Sequence, residues 1–494
     1  MKFKWFQKEY WTDLVIGHPT QKHLWPQRIW IAVLFLVGLY GWGELLNWGR
    51  GPVNFHDWAI ITGPRLAYLG HAISLGEWPL HTSLPVVDGG STLRFLAVPD
   101  QILSPQVLLL PWLEIGQFVL LQFWLMYALG FWALLKIRRR FDLSLLAFTL
   151  LFGLFSFNGH ILTHASVGHA TWGGYFLFAP FALLVFDLLD GKAGWRWAAK
   201  VAFLAFFMFL QGSYHQFIWL LFFLGLLAIC VPRHFWLVAA TAVFTVLVSM
   251  VRILPAVLLM GEFDHQYFAG YPLIESIWQY MIRLQVPNEL TTNLGMTNEI
   301  GTWEYTFFIG GIAALFLIYF GLIRPWVERE DDHHFRLLLL PCLGLVLLSL
   351  DKVFNIVRDV VPLPLFTGER VASRIFSLAF VFVLIIAVVY LQRWLDRHRP
   401  TWEGLTALLA LFFVVAYDLQ RNLVLWSVQS VSKYSALESF NAELYYPVNQ
   451  PGDTLYITLL EVGLLVSILS AAGLLFLAWR ERRAMTRKPT IVQE

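Results

Sequence analysis

Three sets of side chains in this sequence have types and spacings suited to chemistry. The first is a carboxylate set among aromatic residues, Phe55-His56-Asp57-Trp58, shortly after a long apolar run. An acid at a membrane edge beside an indole is partly desolvated. That makes it a stronger base than in water and suits it to take a proton from an attacking hydroxyl. The plain alternative is an interfacial carboxylate that caps a loop. Glu77, Asp88 and Asp100 follow in the same segment and compete for the role of base or of acceptor-binding group, with His56 and Arg65 as further binding candidates.

The second set is imidazole: His160, His164 and His169, with His215 on a later turn. His160 and His164 are four apart and share a face if helical. Such groups bind phosphate or sugar hydroxyls, or a metal, or simply sit at an interface. No carboxylate lies close in sequence and Gly168 interrupts the helical spacing, so no metal site is assigned. No cofactor is implied, and a divalent metal stays an open alternative. The third set is basic: Arg252, Lys352, Arg358, Arg370 and Arg374. A departing phosphate needs its charge neutralised, and a guanidinium does this with two aligned donors. Arg370 and Arg374 again have i,i+4 spacing, and Arg374 leads. Arg252 lies within an apolar run near its end, where snorkelling to the interface is the plain reading.

The elements that must position these groups are membrane helices. Hydrophobic residues make up 58% of the 494 and charged residues 14%, whereas soluble domains carry about 25% charged residues. The 23 Trp and 17 Tyr suit bilayer interfaces. A net charge of +2 gives no reason to expect a nucleic-acid partner. Cys230 and Cys342 stand in apolar runs without zinc-ligand spacing and read as core. The run from Ile29 to about Leu46 follows a basic segment and lacks a cleavage site, so it reads as a retained span.

Spans begin near Ile29, Leu113, Leu143, Trp172, Ala199, Phe217, Phe235, Thr306, Leu337, Ser373, Glu403 and Ile457, about twelve in all. Alternate connections carry most of the 35 Lys and Arg, which places both termini in the cytoplasm of a multi-pass protein of the cell membrane. The opposite connections are long at 49–112, 261–305 and 419–456, and long loops carry sites more often than packing. Residues 1–494 form one transmembrane domain, and no internal repeat is evident. In the first outer loop, Thr62 to Leu75 reads as an interfacial amphipathic helix with Thr62 as N-cap and Gly76 as its stop.

The ordering of these features resembles the GT-C glycosyltransferases, and within them the bacterial branch that glycosylates cell-envelope polymers such as teichoic acids. The residues that carry the likeness are Asp57-Trp58, Gly76-Glu77-Trp78-Pro79-Leu80, Gly89-Gly90 and Ser104-Pro105. Gly159-His160 and Gly168-His169-Ala170 ahead of Pro180, and Phe366-Thr367-Gly368-Glu369-Arg370 with Arg374, fit as well. The chain departs from the branch in lacking a sizeable extra domain after the later spans.

The resemblance implies an all-α enzyme that takes a sugar from a polyprenyl-phosphate donor among membrane lipids. It would pass that sugar, with inversion, to an extracytoplasmic glycan, polymer or lipid acceptor, using Asp57 as general base. His56, Arg65, Glu77, Asp88, Asp100, His160, His164, His169, His215, Arg370 and Arg374 would bind donor or acceptor. A transporter or flippase, or a non-catalytic subunit of the same architecture, is the alternative. A transporter concentrates charges and broken helices near the midplane, often in repeated halves; here the polar residues gather in the outer loops.

Overall fold

The computed structural model describes residues 8–19, 24–85, 92–259, 269–287, 301–328, 333–361, 369–438, 440–448 and 450–486. Each apolar run expected to span is helical in it. Seven helices are long and apolar enough to cross a membrane: Leu24–Leu45, Ile115–Arg140, Leu145–Ser166, Ala170–Leu189, Ala372–Arg397, Trp402–Leu425 and Thr454–Ala484. The runs at Phe217 and Phe235 form Tyr214–Cys230 and Pro232–Val248, a pair bent by 112°. Pro232 cannot continue the preceding helix, because it lacks the N–H and its ring clashes with the preceding turn. The runs at Ala199, Thr306 and Leu337 are shorter helices, Trp195–Leu210, Gly311–Val327 and His334–Leu348. At 1.5 Å per residue such helices reach roughly 25 Å, short of the ~30 Å hydrocarbon core. Length therefore supports seven crossings among the described residues, or eight if the bent pair counts as one.

Burial sorts the helices. The apolar window of Ala372–Arg397 is 94% buried and forms the centre of the bundle, whereas those of Trp402–Leu425 and Thr454–Ala484 are only 17% buried. These outer helices present Phe413, Leu465 and Leu469 to the surroundings. Apolar helix surfaces of that length are unfavourable in water and suited to hydrocarbon, where the helix satisfies every backbone polar group internally. The protein is an all-α multi-pass membrane protein. Among the described residues its paired strands are two residues long: His81–Thr82 runs antiparallel to Pro447–Val448, with His81 opposite Val448.

The segment after the first apolar helix folds back onto the bundle. A π-turn, Trp58–Thr62, leads into Gly63–Leu75, and Gly76 closes that helix in the left-handed conformation (φ +70°) that glycine adopts at least cost. Thr62 stands at the N-cap position, but its side chain makes no cap bond. It is itself helical, and its hydroxyl donates to the Gly168 carbonyl at 2.5 Å. Leu66, Tyr68, Leu69 and Ala72 form the buried face. Arg252 does not snorkel: it is 1% exposed and donates to the carbonyls of Leu96 (2.7 Å), Val98 (2.5 Å) and Asp100 (3.1 Å). Those carbonyls belong to an irregular stretch, and the guanidinium fork satisfies all of them while their dipoles offset the cost of burying its charge. Arg94 adds a second tie, bonding both oxygens of Asp453 at 2.6 and 3.0 Å.

Candidate functional site

Three contacts fix Asp57 in place. The indole of Trp58 donates to Ser166 O at 2.8 Å, the Thr62 hydroxyl holds Gly168, and the backbone at Gly168 passes directly under the Asp57–Trp58 peptide. Gly168 has φ +103°, and a Cβ there would lie 2.3 Å from Trp58 N. Only glycine permits both the conformation and the approach. The result places the Asp57 Oδ2 2.5 Å from His169 Nε2, and His169 Nδ1 2.8 Å from His164 Nδ1. Asn158 starts the helix that carries His160 and His164, its side chain accepting from Ile161 N.

Burial pushes the Asp57 carboxyl up, but the charge and hydrogen bond of His169, followed by Arg374 and His56, outweigh it and hold the carboxyl below its ordinary value. The stronger-base expectation therefore needs correction. Asp57 is ionised through the neutral range, and what equips it to accept a proton is its fixed position and its 31% exposure.

Trp172 is the centre of the aromatic stack. His164 lies on it at 4.1 Å with planes 6° apart, His215 stacks at 6.0 Å, and the Arg374 guanidinium sits 5.1 Å from the ring centroid. Arg374 makes a bidentate pair with Glu304, and Glu304 also lies 3.9 Å from His164 Nε2. A second carboxylate–imidazole pair faces the first: Glu369 Oε2 accepts from Trp219 Nε1 at 2.7 Å and lies 3.0 Å from His215 Nδ1. Burial raises the Glu369 pKa, yet His215, then Arg374 and Trp219, bring it below the ordinary carboxylate range. A cavity of about 230 Å³ opens between these groups.

The structure brings together Asp57, Arg65, Asp100, His169, His215, Arg370 and Arg374 as lining of this cavity. Arg65 is paired with Asp100 at 3.2 Å, so those two neutralise each other and Asp100 is a poor rival base. His160 and His164 lie buried behind the lining. His56 has left-handed backbone (φ +44°), with Nε2 2.9 Å from the Ser435 hydroxyl and its ring against Trp303. Glu77 is exposed beyond the end of its helix and does not line the cavity, so it is removed from the site. Asp88 lies outside the described residues, as do Phe366, Thr367 and Gly368.

Glu304, Glu369 and Trp172 belong to the site but are not among the site candidates read from the sequence, although Glu369 stands in the motif that ends at Arg370. Glu304 had a signal: Trp303-Glu304-Tyr305 repeats the pattern of Asp57, an acid among aromatics at the edge of an apolar run. Glu304 also supplies, from far along the chain, the carboxylate that the histidine cluster lacks locally. No family model, no curated protein and no solved structure matches the chain.

Proposed function

We propose that this cavity is the active site of an inverting glycosyltransferase. Its donor is a polyprenyl-phosphate sugar and its acceptor an extracytoplasmic glycan, polymer or lipid of the cell envelope. In this reading the protein has the GT-C architecture, with about twelve crossings counted from sequence, short ones included, and both termini cytoplasmic. The acceptor hydroxyl gives its proton to the Asp57 carboxylate as its oxygen bonds to the anomeric carbon. The anomeric C–O bond to phosphate breaks on the opposite face, and the polyprenyl phosphate leaves with the electron pair. His169 fixes Asp57 during attack. Arg370 and His215, on the cavity wall, offset the charge that develops on the leaving phosphate, the kind of preorganised electrostatic stabilisation that contributes most in a desolvated site. Arg374, held by Glu304, reaches that phosphate less readily than the sequence suggests.

The observation that carries the proposal is one cavity lined both by a partly exposed carboxylate held on an imidazole and by cationic groups. The test uses the full chain in proteoliposomes supplied with polyprenyl-phosphate monosaccharides and an acceptor glycan. Labelled sugar on the acceptor, with inverted anomeric configuration, is the expected result. Movement of intact lipid-linked sugar across the bilayer without transfer would identify a flippase instead.

A further inference from the structure

A cluster behind the cavity wall has features that proton transfer does not need. One ligand atom each from His164, His169 and Glu304 lies within 4.8 Å of the others. His164 is fully buried, and among the described residues its Nε2 has no hydrogen-bond partner. That nitrogen stands 3.9 Å from Glu304 Oε2, too far for a hydrogen bond. Two donors on one zinc ion, each at about 2.0–2.2 Å, are at most roughly 4.4 Å apart, so the gap is of the width a metal ion spans. A buried, unbonded imidazole nitrogen aimed at a carboxylate is a costly arrangement unless something lies between them.

The surroundings have the form of a metal site. His169 reaches Asp57 through Nε2, which leaves its Nδ1 to turn to the ion in exchange for its 2.8 Å contact with His164 Nδ1. Metal-binding imidazoles commonly place the ring nitrogen away from the ion on a carboxylate, which fixes the ring and raises its basicity. Two imidazoles and one carboxylate select zinc or a neighbouring transition ion over magnesium or calcium, which prefer oxygen. Three protein ligands also leave a coordination position open, as in catalytic rather than structural sites.

We propose that His164, His169 and Glu304 bind a divalent transition metal, with Asp57 as the carboxylate that orients His169. The ion takes over from Arg374 as the counter-charge of Glu304, and the guanidinium, already on the cavity wall, turns to an anionic ligand there. Binding of the ion does not depend on the transfer reaction, so the two readings stand or fall separately.

The test uses the full-length protein, purified in detergent and stripped with chelator, then titrated with Co2+ and displaced with Zn2+. A single equivalent of cobalt should bind with the visible absorption of a four-coordinate ion and be released by zinc. His164→Gln and Glu304→Gln should each abolish that spectrum. Asp57→Asn should keep the spectrum but weaken binding about 10–100-fold. Thermal unfolding without metal checks that each variant is folded. Absence of a cobalt spectrum in the parent, or an unchanged spectrum in a folded His164→Gln variant, would overturn the site.

Discussion

The two carboxylate–imidazole pairs beside Trp172 are built the opposite way round. In the first, Asp57 is 31% exposed and His169 only 11%. In the second, Glu369 is fully buried and His215 is 29% exposed. The first pair therefore presents an acceptor to the cavity and keeps its imidazole as support. The second presents an imidazole and hides the acid that holds it. The same two chemical groups, turned around, give one wall that presents a carboxylate and another that presents an imidazole. Depth decides the difference: Asp57 heads the helical turn laid over Gly168, whereas Glu369 is fully buried against Trp219.

The largest effect is expected where a buried pair between the two is cut. Arg374→Ala leaves Glu304 buried without its counter-charge, which costs roughly 3–5 kcal/mol. The guanidinium is structural as well as cavity-lining. Chemical unfolding in detergent checks it, and a loss below about 1 kcal/mol would mean that something other than Arg374 compensates Glu304. Glu369→Gln comes next. It removes the charge that holds His215 and weakens its bonds to His215 and Trp219, for a loss of roughly 1–3 kcal/mol. Asp57→Asn, at a half-exposed position, should cost little stability. Equal losses from the two would break the contrast in depth.

Gly168→Ala sharpens the comparison from the other side. The left-handed backbone alone costs about 1–2 kcal/mol with a Cβ, and the clash with Trp58 adds to it. Transfer should fall with the Asp57–His169 contact, while donor binding on the His215 wall persists. His215→Gln should leave the Asp57–His169 contact in place yet lower kcat about tenfold with KM for the donor less affected, because the charge it offsets develops only as the phosphate leaves. The smallest effect concerns pH. Burial lowers the His56 pKa below its ordinary 6.5, more than Asp57 and Glu438 raise it, with His169 lowering it further. The unfolded chain then takes up the proton more readily than the folded one. Stability from this residue is complete above that value and falls as the pH drops through it. His56→Gln should flatten that part of the stability profile.

Much of this architecture is legible in the sequence because membrane helices are local. A run such as Ile29 to Leu46 declares itself by composition, and Gly76 marks a helix end by backbone chemistry. Asp57, His169, His215 and Arg370 are found together because acids, imidazoles and guanidiniums at span ends are few. Glu304 and Glu369 are not, because what makes each a site residue is a partner more than 60 residues away: Arg374 for one, His215 for the other. The role of Arg252 is hidden for the same reason, since nothing near it in sequence shows that it binds the carbonyls of Leu96 and Val98. Crossing number is limited differently. Hydropathy identifies apolar helices, and their length and bending, as at Pro232, decide which of them cross.

The proposed transfer depends on Asp57 as the proton acceptor. The direct measurement is the single-turnover rate of sugar transfer by Asp57→Asn, with donor binding measured on the same sample. General-base catalysis contributes about 10²–10⁴-fold, so the rate should fall by that factor while donor affinity stays near that of the parent. Transfer at the parent rate with donor bound would contradict the account.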